Sequence, residues 1–180
     1  MWKRLRPKAA ASLQGLRRTL DGYSPFRDRR LWILVMVLSF TGYWFCSRLV
    51  FSLSPSLSHR IFVLDRSGRA PRKGDYVIFP LSSPLFQQGK RQRVIKQVTC
   101  AAGETLSVDE RNRFFYCNGT YLGMAKLITL KGNTLPLFVF NGRVPEGKLF
   151  VSGQHRDSFD SRYWGFLDQG RVEALATPLL

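Results

Sequence analysis

The stretch Gly153-Gln154-His155-Arg156-Asp157-Ser158-Phe159-Asp160-Ser161-Arg162-Tyr163-Trp164-Gly165 sets acids and arginines beside an aromatic pair and a glycine. It reads either as a solvated loop or as the support of an active site whose reactive groups lie elsewhere. Its surroundings point to β-structure. Short apolar or alternating runs precede it: Arg60–Leu64, Asp75–Pro80, Val94–Cys100, Glu104–Val108, Phe114–Cys117, Lys126–Thr129, Leu137–Phe140 and Lys148–Val151. Turn signals such as Lys73-Gly74-Asp75, Ala102-Gly103-Glu104, Asn118-Gly119 and Asn141-Gly142 separate them. Strands spaced by about 8–12 residues with Gly and Asn between them predict a mainly β domain. Residues 65–74 and 82–93 read as polar loops, and no internal repeat is present.

The N-terminus is different. Of the 180 residues, the first 30 carry nine Lys or Arg against Asp21 and Asp28, a net +7 out of +16 for the chain. Leu31 to Ser47 then run 17 residues without a charge, followed by Arg48 and Leu49-Val50-Phe51. A bilayer core takes about 20 apolar residues, with roughly 17 as the lower limit. An interfacial Arg48 can snorkel. Residues 31–51 are therefore expected to form a transmembrane helix, in preference to a buried core helix. A cleaved signal peptide fits less well, because the basic region is long and no A-x-A-like site follows. The cation excess before the helix puts residues 1–30 in the cytoplasm. Residues 52–180 then form an exported domain. The remaining charge of +9, one of it from Arg48, is spread along the chain with no helix-turn-helix, zinc-finger or RNP-like pattern. A basic face near anionic lipid is the reading, with no nucleic-acid partner.

Cys46 lies in the apolar run, while Cys100 and Cys117 lie in the exported part, where disulfides persist. Two short strands around Asp109-Glu110-Arg111-Asn112 can bring their sulfurs together, although spacing alone does not show that the bond forms. Two cysteines without a nearby histidine make a poor metal site, and no cofactor is called for.

Two further stretches can carry chemistry. In Ser52-Leu53-Ser54-Pro55-Ser56-Leu57-Ser58-His59-Arg60-Ile61-Phe62, four serines alternate with other residues. That pattern also suits an extended linker at a lipid interface. In Arg93-Val94-Ile95-Lys96-Gln97-Val98-Thr99-Cys100, a strand puts Lys96 on one face with Val94 and Val98. A lysine held against an apolar face loses its proton readily, because burial penalises the ammonium form. A lysine on the solvent face is equally compatible with this sequence.

Together the three stretches resemble the type I signal peptidases (peptidase family S26), and most closely the TraF-type conjugative-transfer peptidases, which mature pilin subunits. Residues 153–165 are similar to the family's G-D-N-R-D-N-S-x-D-S-R-Y-W-G box, one residue shorter. Lys96 to Glu104 is similar to K-R-V-x-G-x-P-G-D, Asp75 to the aspartate of G-D-x-V, and Tyr116-Cys117-Asn118-Gly119 to Y-x-N-G. Ala102, Cys100, Gln154, His155, Ser58 and Arg60 depart from the family's patterns. The resemblance covers residues 52–180 and implies a signal-peptidase-like β domain.

It also implies a Ser–Lys dyad. Serine is a weak nucleophile that needs an adjacent base, and a lysine serves only if its pKa falls toward the working pH. Lys96 is the lysine at the matching position. The TraF-like pattern N-x-T-x-S-x-P-x-G-x-Y points to Ser56 as nucleophile, whereas S-M-x-P-T-L points to Ser52. In the family a hydroxyl two residues before the nucleophile helps to stabilise the oxyanion. Ser54 supplies it for Ser56, and Val50 cannot supply it for Ser52, so Ser56 is favoured. By the same resemblance Ser158 orients the lysine amine, Asp160 and Arg162 pair to hold the loop, and Tyr163 and Trp164 pack. A serine–histidine–aspartate triad would have to use His59 or His155, and neither falls at a family catalytic position.

The function implied is a serine endopeptidase, anchored by one helix in a bacterial inner membrane with its catalytic domain periplasmic. It would remove the signal or leader segment from an exported precursor, a prepilin of a conjugative secretion apparatus. The short chain and the SPSLSHRIF stretch favour that specialised type. Alternatives are a general signal peptidase serving many preproteins and a non-catalytic assembly subunit of the secretion apparatus.

Overall fold

The computed structural model describes residues 28–51, 57–84, 91–130 and 132–179. Ser52, Ser54 and Ser56 lie outside the described residues. The chain divides into two units, Met1–Ser47 and Arg48–Leu180.

In the first unit, helix α1 spans Arg29–Cys46. The Asp28 carboxylate accepts from the Arg30 N–H and caps its start. None of its residues is buried, and Trp32, Ile33, Met36, Leu38 and Phe40 are all exposed. The helix was expected to continue to Phe51, but it stops at Cys46, and Leu49–Phe51 form a strand, β1. The reason is pairing. Phe51, Val50 and Leu49 lie opposite Ile61, Phe62 and Val63 of β2 (Ile61–Asp65), so their backbone groups find partners in a ladder. At about 1.5 Å per residue, an 18-residue helix falls slightly short of a hydrocarbon core of about 30 Å. Among the described residues no helix is long and apolar enough to cross a membrane.

The second unit is mainly β. The strands after β2 are β3 (Tyr76–Leu81), β4 (Gln92–Cys100), β5 (Thr105–Asp109), β6 (Phe114–Cys117), β7 (Thr120–Met124), β8 (Gly142–Arg143), β9 (Lys148–Ser152), β10 (Leu167–Asp168) and β11 (Ala174–Pro178). One sheet has the order β1-β2-β11-β3-β4-β9-β10, and a smaller one the order β7-β6-β5-β8. All recorded strand pairs are antiparallel. The C-terminal strand β11 enters the large sheet between β2 and β3, so the two ends of the domain close on each other. β6 and β7 are joined by the tight turn Asn118-Gly119, with both residues at positive φ (49° and 79°). That geometry suits a two-residue hairpin.

Two expected strands are absent. Lys126–Thr129 contributes only the bridge Ile128↔Thr134, and Leu137–Phe140 is irregular. Phe138 and Phe140 instead pack edge-on against Phe166 beside the core of the smaller sheet. Side-chain burial, not strand pairing, decides their conformation. That core gathers Leu106, Val108, Phe115, Val144 and Phe150 around the two cysteines. The large sheet is covered on both faces. Val77, Phe79, Val98 and Val151 pack on one, and Leu57, Phe62, Tyr76 and Ile78 on the other.

Candidate active site

Lys96 sits mid-strand in β4, directly across from the fully buried Val77 of β3. Burial along the second half of β4 alternates, with Lys96, Val98 and Cys100 inside. The period of two therefore carries the lysine into the apolar face, where it is only 4% exposed. Burial pulls its pKa down to about 8. Asp160 works against the shift and Arg162 with it. The Nζ donates to Ser158 Oγ at 2.7 Å. A buried amine with a hydroxyl acceptor and a pKa close to neutrality is equipped to take a proton from a nearby hydroxyl.

Ser158 is held by the loop 153–160. The fully buried Asp160 accepts from the Gly153 N–H at 2.9 Å, which pinches the loop closed at its neck. The same carboxylate accepts from Arg162 Nε at 2.8 Å and Nη2 at 2.7 Å. It also caps α2 (Ser161–Trp164) through the Arg162 N–H. Both charges are buried, with Arg162 4% exposed. Burial alone would lower the guanidinium pKa, but the bonds to Asp160 and its charge outweigh burial and raise it. Arg162 Nη1 donates onward to the Met124 carbonyl at 2.9 Å, which ties the loop to β7. Ser161 Oγ accepts from the Val151 N–H and ties it to β9. The pairing and the added hydrogen bonds offset the desolvation cost of burying both charges.

The partners Gly123, Lys126 and Phe138 lie outside any motif. At Gly123 an added Cβ would stand 3.1 Å from Arg162 Nη1, and φ there is +137°. The strand has to be bare at this point for the guanidinium to pass. At Gly165 a Cβ would meet the Phe138 ring at 3.0 Å. Tyr163 was expected only to pack, yet its hydroxyl accepts from the Lys126 N–H at 3.0 Å as well. Lys126 Nζ also pairs with Asp157. Asp157, Tyr163 and Gly165 belong to the stretch 153–165, whereas for their partners outside it the sequence signal was the glycine at 123, and a glycine does not name its partner.

The remaining candidates fall as follows. Cys100 and Cys117 are joined in a disulfide that links β4 to β6. Glu104 lies beside them and pairs with Lys73. Sulfurs bonded to each other offer no thiolate, so this trio is not a metal-binding set. His59 packs edge-on against Phe62 and Tyr76. His155 is exposed, and its Nδ1 accepts from the Asp157 N–H. Leu57 is 6% exposed and packs with Phe62, Tyr76, Ile78 and Ala176.

No curated protein matches the chain. Among solved structures the chain is similar to a signal peptidase I from Enterococcus faecalis V583, with 31% identity over 61% of this chain and 98% of that one, at a TM-score of 0.39. The family model described as signal peptidase, peptidase S26, matches residues 29–179. The chain belongs to that family and is a serine endopeptidase.

Proposed function

We propose that the chain cleaves exported precursors with a Ser56–Lys96 dyad. The observation that carries this reading is the buried Lys96, with its pKa near 8 and its amine on Ser158. In the first step neutral Lys96 takes the Ser56 proton while Oγ attacks the scissile carbonyl. Lys96 then returns that proton to the leaving amine, and an acyl-enzyme remains for attack by water. The Ser56 N–H and the Ser54 hydroxyl stabilise the oxyanion. Ser158 keeps the amine aimed, and Asp160 with Arg162 keeps Ser158 in place.

Two described features favour Ser56 over Ser52. Phe51 pairs with Ile61, so Ser52 directly follows a strand end, whereas Ser56 is the midpoint in sequence between the paired residues. Leu57, next to Ser56, is anchored in the core. The exposed apolar helix α1 and the basic residues before it suit attachment to an anionic membrane, where a precursor's leader segment also resides. The TraF-like likeness of residues 54–62 supports a prepilin of a conjugative apparatus as the substrate.

The test is cleavage of a co-expressed prepilin and of an ordinary secretory preprotein by the wild type and by the Ser56→Ala, Ser52→Ala and Lys96→Ala variants, read by mass spectrometry. Loss of processing in Ser56→Ala and Lys96→Ala but not in Ser52→Ala is the expected result. If Ser52→Ala is the inactive serine variant, the nucleophile is misassigned. Cleavage of the preprotein but not the prepilin removes the pilin reading and leaves the chemistry.

A further inference from the structure

Gln154 stands where the resembled box has a different residue, and the mechanism above does not use it. Its side chain nevertheless makes two contacts distant in sequence. Its Oε1 accepts from the Ser58 N–H at 3.1 Å, and its Nε2 donates to the Tyr76 hydroxyl at a longer 3.4 Å. Tyr76 packs against Phe62 at a 5.2 Å ring separation, and Leu57 lies in the same cluster.

We infer that Gln154 is a positioning residue which fixes the nucleophile segment relative to the lysine. The inference rests on Ser56 being the nucleophile. The loop 153–160 is closed by the Gly153–Asp160 hydrogen bond. From this one closed loop Ser158 holds the Lys96 amine, and Gln154, four residues earlier, holds the backbone two residues beyond Ser56. The Leu57 side chain anchors the same segment through apolar contact, but apolar contact alone leaves a short segment free to turn about its anchor. A hydrogen bond to the next backbone N–H removes that freedom. The Lys96 amine and the Ser58 backbone are thereby referenced to a common frame. Because attack needs the reacting atoms aligned within a fraction of an ångström, the loss of Gln154 appears in the chemical step and not in substrate affinity.

Gln154 is exposed, so its variants keep the fold. Gln154→Leu removes both contacts. Gln154→Glu keeps an acceptor for Ser58 N–H and accepts from the Tyr76 hydroxyl in place of donating to it. The experiment measures kcat and KM with full-length enzyme on whichever of the two purified precursors above the wild type cleaves, together with the pH profile and the thermal midpoint. Ser56→Ala is the control. The expected result for Gln154→Leu is a kcat about tenfold lower, the scale of one hydrogen bond lost from the transition state. KM, the pH midpoint set by Lys96 and the thermal midpoint stay unchanged, and Gln154→Glu recovers most of the rate. An unchanged kcat in Gln154→Leu overturns the inference while an inactive Ser56→Ala keeps the dyad. A kcat loss with a lowered thermal midpoint and no recovery by Gln154→Glu reduces Gln154 to a structural contact and also overturns it. An active Ser56→Ala overturns the dyad reading, and the inference with it.

Discussion

Lys96 and Ser158 are 62 residues apart in sequence and 2.7 Å apart in space, and the amine is the donor. The lysine comes from a strand inside the sheet and the serine from a loop closed by the Gly153–Asp160 hydrogen bond. Two independent parts of the fold therefore determine one contact.

Cleavage should depend on pH through Lys96. The base works only when neutral, so kcat/KM should rise with pH through a midpoint of about 8, the value to which burial lowers this lysine. Stability follows the same group with a defined sign. Below about 8 both the native and unfolded states hold the proton, and stability is flat. From there to the ordinary lysine range the unfolded chain binds a proton that the native chain has released, so stability rises with pH. Lys96→Met should abolish cleavage yet stabilise the protein at neutral pH, by on the order of 2 kcal/mol. Urea unfolding across this pH range checks both statements.

Removing the Ser158 hydroxyl should damage the rate and leave the fold intact. Ser158→Ala is expected to lower kcat roughly tenfold to a hundredfold, because a misaligned base costs rate on that scale. It should also move the pH midpoint downward, since the hydroxyl accepts from the charged amine and favours its protonated form. Ser158→Thr, which keeps a hydroxyl, should recover part of the loss. Steady-state pH profiles of the two variants decide the point.

Asp160→Asn leaves the buried Arg162 without its counter-charge. Breaking one side of a buried pair costs about 3–5 kcal/mol, so this variant should unfold at much lower urea and lose activity. Replacing both residues with apolar ones should be less damaging to stability than the single change. A double-mutant cycle on unfolding free energies measures the coupling.

Gly123→Ala places a methyl group 3.1 Å from Arg162 Nη1 at a φ of +137°. Steric pressure and backbone strain together should cost about 1–3 kcal/mol and loosen the Arg162–Met124 contact. A matched drop in the thermal midpoint and in kcat is the expected outcome. An unchanged protein would show that β7 does not brace the site.

The Cys100–Cys117 bond joins the two sheets four residues from Lys96 and spans a sequence separation of 17. A loop of that length is stabilised by about 3 kcal/mol when crosslinked. Cys100→Ala with Cys117→Ala should therefore lower the thermal midpoint, and mass analysis of the wild type under non-reducing alkylation should find both sulfurs blocked.

Much of this was legible in the chain itself. Periodicity of two in Val94–Cys100 put Lys96 on one face with Val94 and Val98, the structure showed that face to be the buried one, and the Gly and Asn signals located most of the strands that frame it. Such features are local: alternation and turn chemistry act over a few residues, so a linear reading reaches them. The segment Leu49–Phe51 reads locally as the end of an apolar helix, but it becomes a strand because Ile61–Val63 offers it a ladder. Leu137–Phe140 has the composition of a strand, yet its aromatic rings are needed against Phe166. Gly123 lies in β7, and Arg162, 39 residues downstream, occupies the space beside it. The sequence determined the alternation that sets Lys96 on one strand face with Val98. Only the tertiary structure decided which residues meet, because the Lys96–Ser158, Asp160–Arg162–Met124 and Gln154–Ser58 contacts depend on long-range packing that brings distant backbone segments within hydrogen-bond reach.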